Sequence, residues 1–280
     1  MAKAKAPKEV KPQIKAISFG GGVQSTAMVV LAIQGKIDFD VALFSNVGDD
    51  SEHPATLTYV RDIFIPWAAQ HNFPIHELQR VMRDGTTRTL WEDITREGSR
   101  SIKIPVRMDK TGAPGNRSCT SDYKIRVVSR WLRENGASKD NPAIIGIGIS
   151  TDEIQRVSNR LPVNNQIATY PLIDLGMNRS DCMSVIADAG LPVPPKSSCF
   201  FCPFHRPQAW AEMRRDEPEL FEKSAQLEDH INGVRAMLGR DKVFLTGRSI
   251  PLREAIQPAQ EMLFDNTADM DRCDSGYCWT

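Results

Sequence analysis

Between Lys15 and Leu191 the chain alternates two patterns of apolar residues. Short, nearly unbroken apolar runs read as buried strands: residues 15–23 as a strand followed by a Gly-rich turn, VALFSNV at 41–47, PIHELQR at 74–80 and AIIGIGIS at 143–150. TYPLIDL at 169–175 reads as one more. Segments with apolar residues every three or four positions separate them and predict helices. These cover residues 24–34, Pro54–Gln70, Leu90–Glu97, Ser121–Asn135 and Arg179–Ala189. From Pro207 to Leu238 the pattern is helical throughout. The stretch Arg83–Arg117 is polar, Gly-rich and irregular apart from that short helix, and loops of this length are usually functional.

Strand–helix alternation over 15–190 predicts an α/β fold, a parallel sheet with helices on both faces. The expected organisation is a flexible basic tail at 1–14, a nucleotide-binding α/β domain at 15–206, and a helical region at 207–280 ending in a cysteine-bearing tail. Ligands of such sheets sit beyond the carboxyl ends of the strands. Four marked segments fall there: the glycine run, Gly48-Asp49-Asp50, Asp152-Glu153 and the loop after Leu175, of which the first three point to one site.

The glycine run is ISFGGGVQSTAM, residues 17–28. Glycine weakens both strand and helix, so three in succession between them need a reason. Bare backbone amides at a helix start form an anion site. Ser18, Gly20, Gly21, Gly22, Gln24, Ser25 and Thr26 are therefore the candidate phosphate-binding residues. No Gly-Lys-Ser/Thr follows, and the G-x-G-x-x-G pattern fails at Ser25. Asp49, at the end of the second strand, is a candidate Mg²⁺ contact through water. Of Asp152 and Glu153, one is read as a ribose or metal contact and the other as a charge favouring a helix dipole. Arg156, one turn on, is placed to grip a phosphate bidentately.

Composition narrows the setting. Apolar residues make up 41% of the 280 and charged residues 25%, ordinary values for a globular protein. The formal net charge is zero, so there is no global electrostatic case for a nucleic-acid or membrane-surface protein. No apolar run is long enough to span a membrane, and no apolar core follows the basic N-terminus as in a secretory signal. The expected compartment is the cytoplasm, where thiols stay reduced and six cysteines point to metal or redox chemistry. Cys199 and Cys202 form a C-x-x-C pair, with His205 close behind and Cys119 eighty positions earlier. Thiolates suit iron–sulfur clusters and zinc alike, and Cys119, Cys199, Cys202 and His205 would make a Cys₃His zinc set. Cys182, among apolar helix neighbours, reads as a buried free thiol.

SFGGGVQS resembles the pyrophosphate loop of the adenine-nucleotide α-hydrolase (PP-loop) superfamily, with Gln24 where Asp is usual. GISTDEIQRV and YPLIDL are similar to segments of its phosphoadenylyl-sulfate reductase-like branch, across about residues 15–205. The resemblance implies a Rossmann-type fold. It also implies ATP or another adenine nucleotide as ligand, with α–β cleavage to adenylate an acceptor. The cysteine spacing resembles that of [4Fe–4S] adenylyl-sulfate reductases, with Ser118 in place of the first ligand. That implies Cys119, Cys199, Cys202 and a tail cysteine, Cys273, as cluster ligands, with Cys278 as a catalytic thiol. Sulfur transfer would need a donor protein, a cysteine desulfurase or thioredoxin-like. The acceptor the family implies includes nucleobases and nucleic-acid backbones. A sulfonucleotide reductase, and a non-catalytic nucleotide-binding protein with structural zinc, are the alternatives.

Overall fold

The computed structural model describes residues 13–157 and 164–257. Strand β1 (Lys15–Phe19) leads into helix α1 (Val23–Ile33), and β2 (Val41–Ser45) into α2 (Pro54–Thr58). A wider π turn, Tyr59–Phe64, carries that helix on into α3 (Ile65–Gln70), followed by β3 (Ile75–Leu78) and α4 (Leu90–Thr95). After β4 (Arg107–Met108), a second π turn at Thr120–Ile125 opens α5 (Arg126–Glu134). The parallel order resumes with β5 (Ala143–Ile147), a 3₁₀ turn at Thr151–Arg156, and β6 (Gln166–Thr169). The short α6 (Pro171–Asp174), α7 (Arg179–Asp188), α8 (Pro207–Asp216) and α9 (Pro218–Met237) follow, then β7 (Val243–Phe244) and α10 (Leu252–Ala255).

The sheet has the order β3-β2-β1-β5-β6, and every pairing in it is parallel. Alternate residues of its strands feed different cores, as the two-residue period requires. Ile17, Phe19, Ala42 and Phe44 join α1, Phe64, Ala68 and α7 on one face. Ala16, Val41, Leu43 and Ile145 join Val128 and Leu132 of α5 on the other. The predicted doubly covered α/β sheet is therefore present. From β1 the chain winds outward one way through β2 and β3, and from β5 the other way to β6. The crevice between β1 and β5 is the topological switch point, where open α/β sheets bind ligands.

A second core lies beside the sheet. Leu90, Ile94, Ile104 and Val106 from the irregular segment pack with Tyr123, Phe200, Phe201, Trp210, Phe221 and Ile231. The antiparallel pair β4–β7 ties the same two stretches together. Packing thus crosses the expected division at residue 206. The predicted strand at 169–175 is shorter and earlier than expected. It ends at Thr169, because Pro171, with its fixed φ and no N–H, starts a helical turn instead.

Candidate functional site

Helix α1 begins without a side-chain cap: Gly22 holds the N-cap position in an extended conformation. The first amide bonded into the helix is Thr26 N–H, to the Gly22 carbonyl at 3.0 Å. The amides just before it have no helical acceptor to use. Ser25 organises the turn, its hydroxyl accepting from Gly20 N–H at 3.2 Å and donating to the Gly22 carbonyl at 3.1 Å. The Ser197 hydroxyl donates to the Gly20 carbonyl from across the cleft.

The three glycines have different reasons to be there. Gly21 has φ +75°, and a Cβ on it would stand 2.8 Å from Val60 Cγ2. It is required by the turn and by packing on the helix after β2. A Cβ on Gly20 would meet nothing within 4 Å. Neither packing nor a positive φ demands glycine at Gly20, whose bare backbone faces the solvent side of the loop. At the end of β5, a Cβ on Gly148 would lie 3.1 Å from Ser25 N, so that strand closes tightly against the loop.

The loop forms one wall of a cleft, open to solvent, at the carboxyl ends of β1, β2 and β5. Ser18, Gly20, Gly22, Gln24 and Ser25 line it on that side. Ser45 and Glu52 come from the β2 side, Gly148 and Arg156 from beyond β5, and Pro195-Lys196-Ser197 from the proline-rich connection. Lys124 and Arg179 complete it, giving four basic side chains against one carboxylate, Glu52. A concave wall with that balance concentrates anions. Gln24 is 6% exposed. Its Oε1 accepts from Arg179 Nη1 at 3.4 Å, while its Nε2 is buried with no partner among the described residues. Thr26 lies one step deeper, fully buried, and its hydroxyl likewise has no partner among the described residues.

Other expected site residues are engaged elsewhere. Asp49 sits outside the cleft lining, held bidentately by Arg61 at 2.7 and 2.8 Å and by Asn46 at 2.7 Å. Its hydrogen bonds with Arg61 foremost, it titrates below the usual carboxylate range. Arg61 also holds Glu77, at 3.1 Å through Nε and 2.5 Å through Nη2. Asp152 is exposed and accepts the N–H of Arg179, at the start of α7, at 2.8 Å. Glu153 and Arg156 form a buried pair at 2.6 Å. Burial pushes the Glu153 carboxyl up, and the Arg156 guanidinium partly offsets this. Of these four, only Arg156 lines the cleft.

The C-x-x-C segment is laid against the loop after β2. Cys199 bridges Glu52 in antiparallel fashion, Phe200 N–H donates to Ser51 O at 3.3 Å, and His53 N–H to Ser198 O at 3.1 Å. Phe200 and Phe201 anchor the turn in the second core beside Trp91. Burial raises the Cys199 thiol well above its ordinary range, followed by the charge of Glu52. Cys202 and Cys119 add to the rise and Lys124 opposes it, so both of these cysteines act on Cys199. His205 is tied to this turn, its Nε2 donating to the Cys199 carbonyl at 2.9 Å. Burial lowers its pKa to about 4. That bond occupies Nε2 and leaves Nδ1 buried with no partner among the described residues. Among the described residues no group of three or more His, Cys, Asp or Glu side chains is arranged to hold a metal ion. Cys273 and Cys278 lie outside the described residues. Cys182 is fully buried in α7, its thiol pushed up to about 12 by burial.

The pattern along the chain missed Glu52, Arg179, Lys196 and Ser197. Glu52 was hidden behind the more conspicuous Asp49-Asp50 pair. Lys196 and Ser197 directly precede the cysteine pair, and that adjacency was the available signal. Lys124 comes to the cleft from a π turn, and such turns recur at functional sites. No family model matches the chain, and no curated protein matches it. Among the described residues no helix is long and apolar enough to cross a membrane.

Proposed function

We propose that the protein is a PP-loop enzyme of the phosphoadenylyl-sulfate reductase-like kind, binding an adenine nucleotide in the cleft and transferring its adenylyl group, or sulfur, to an acceptor. The observation that carries this reading is the uncapped, glycine-built start of α1 at the switch point, facing four basic side chains. Amides of the loop would hold phosphate oxygens, with Ser18 and Ser25 beside them. Lys124, Arg156, Arg179 and Lys196 would balance the charge, and also that of departing pyrophosphate when ATP is the nucleotide. Ser197 links this anion site to the thiols, lying two residues before Cys199.

Three thiols are suitable donors for a [4Fe–4S] centre, and zinc held by the same thiols with His205 is the alternative. Cys119, Cys199 and Cys202 would hold the cluster, with a tail cysteine as the fourth ligand. Such a centre supplies an iron position able to bind sulfur. A cytoplasmic setting and a sulfur-donor protein belong to the same reading, and the acceptor includes nucleic acid among its candidates. The test is anaerobic purification with iron and zinc counted and a visible spectrum recorded, followed by analysis of ATP products. Iron, a brown colour, and AMP with pyrophosphate are expected. A colourless, iron-free protein releasing only ADP would sink the proposal.

One observation favours sulfonucleotide reduction as the second reading: among its described lining residues the cleft has a single carboxylate, fewer metal-seeking groups than a Mg²⁺–ATP site commonly offers. Sulfite release from adenylyl-sulfate, lost in Cys273→Ser or Cys278→Ser, would place it first.

A further inference from the structure

The amide of Gln24 is oriented by its neighbour. A guanidinium only donates hydrogen bonds, so the Gln24 oxygen must face Arg179, 3.4 Å away. That leaves the –NH₂ group of a side chain 6% exposed, lining the cleft, with no partner among the described residues. A buried donor left unmade is costly, and such atoms in native proteins call for an explanation. An acceptor bound in the cleft supplies one. The carboxylates expected to bring a cation there are committed elsewhere, Asp49 to Arg61 and Asp152 to the start of α7. Glu153 is paired with Arg156, and Glu52, which the pattern missed, is buried and stands in the field of Lys124.

We propose that Gln24, oriented by Arg179, is a specificity-determining residue that donates directly to a phosphoryl or sulfuryl oxygen of the bound adenylate, so that the cleft takes its nucleotide free of divalent metal. A carboxylate at this position would only accept, and would need a cation between itself and the phosphate. The side-chain amide replaces that cation with a neutral donor, and the basic side chains of the cleft balance the ligand's charge. This rests on the cleft being an adenylate site, as proposed above.

The test measures binding of ATP and of adenosine 5′-phosphosulfate to the full chain by calorimetry, in EDTA and in millimolar Mg²⁺. For the unaltered protein, Kd for the phosphosulfate is expected to differ less than about threefold between the two conditions, a shift below one hydrogen bond's worth. ATP is expected to bind in EDTA at least as tightly as in Mg²⁺. Gln24→Asp should weaken binding in EDTA by about tenfold or more, through loss of a donor and gain of like charge, and Mg²⁺ should restore part of it. Binding by the unaltered protein only when Mg²⁺ is present would overturn the metal-free cleft while leaving the adenylate site standing. A folded Gln24→Asp protein with unchanged affinity in EDTA would overturn the role of Gln24. No binding of either ligand in either buffer would remove the adenylate site itself. The comparison on the unaltered protein needs no variant to fold.

Discussion

Beyond β1 the chain runs through Gly20, Gly21 and Gly22 into α1; beyond β2 it runs from Asn46 to Glu52 into α2. Both loops leave central parallel strands at the same edge, and both carry glycine and polar residues. In the second, the side chains are spent on one another. Asn46 donates to Asp49 and Glu77, Arg61 clamps both, and Thr89 donates to Asp50 at 2.9 Å. In the first, the amides of the helix start are uncapped, and the amides and hydroxyls nearby include buried atoms with no partner among the described residues. A loop whose polar groups are satisfied internally is a structural lock, and one that leaves them unsatisfied beside a cationic cleft is prepared for an outside ligand. Carboxylates at a strand end are thus weaker indicators of a site than donors left without acceptors.

The comparison can be pressed hardest at the glycines. Gly21→Ala should cost about 2–4 kcal/mol, from the positive φ and the contact with Val60, and should lower the urea midpoint with m unchanged. Gly20→Ala should leave the midpoint nearly in place yet weaken nucleotide binding by about tenfold or more, because the methyl intrudes only on the ligand's side. Equal loss of stability in the two variants would erase the distinction between them.

The cysteine turn that joins the loops should register acid. His205 has a folded pKa of about 4 against an ordinary 6.5, so as pH falls the unfolded chain takes up its proton first. Its contribution is complete above about pH 6.5 and declines from there to about pH 4, by on the order of 3 kcal/mol. Urea titrations at several pH values should show the fall, and His205→Gln should flatten it.

The smallest effect is expected in the satisfied loop. Asp49→Asn and Arg61→Met break a half-exposed network and should each cost roughly 1 kcal/mol, less in high salt, since solvent screens such pairs. Nucleotide affinity should not change in either. A loss of affinity in Asp49→Asn would return that carboxylate to the site.

Much was legible before the fold was known, since the features concerned are local. Compact apolar runs marked β1, β2, β3 and β5, the 3.6-residue period marked the helices between them, and the glycine run marked the start of α1. TYPLIDL misled because a short apolar run reads equally as strand or helix, and the proline inside it decided the outcome. The acidic pairs misled in another way: a carboxylate's role depends on which donor reaches it first, and Arg61 and the Arg179 amide lie 12 and 27 positions further along the chain.

By itself, then, the order of residues determined the alternating α/β architecture and the place of the glycine loop between β1 and α1, because each rests on neighbours in the chain or on spacing. Tertiary structure alone decided that Ser197 reaches the Gly20 carbonyl, that Lys196 lines the same cleft, that Glu52 pairs with Cys199, and that Arg179 meets the Gln24 amide oxygen. Those contacts join residues up to 177 positions apart, and long-range packing and charge pairing, which no local pattern encodes, brought them together.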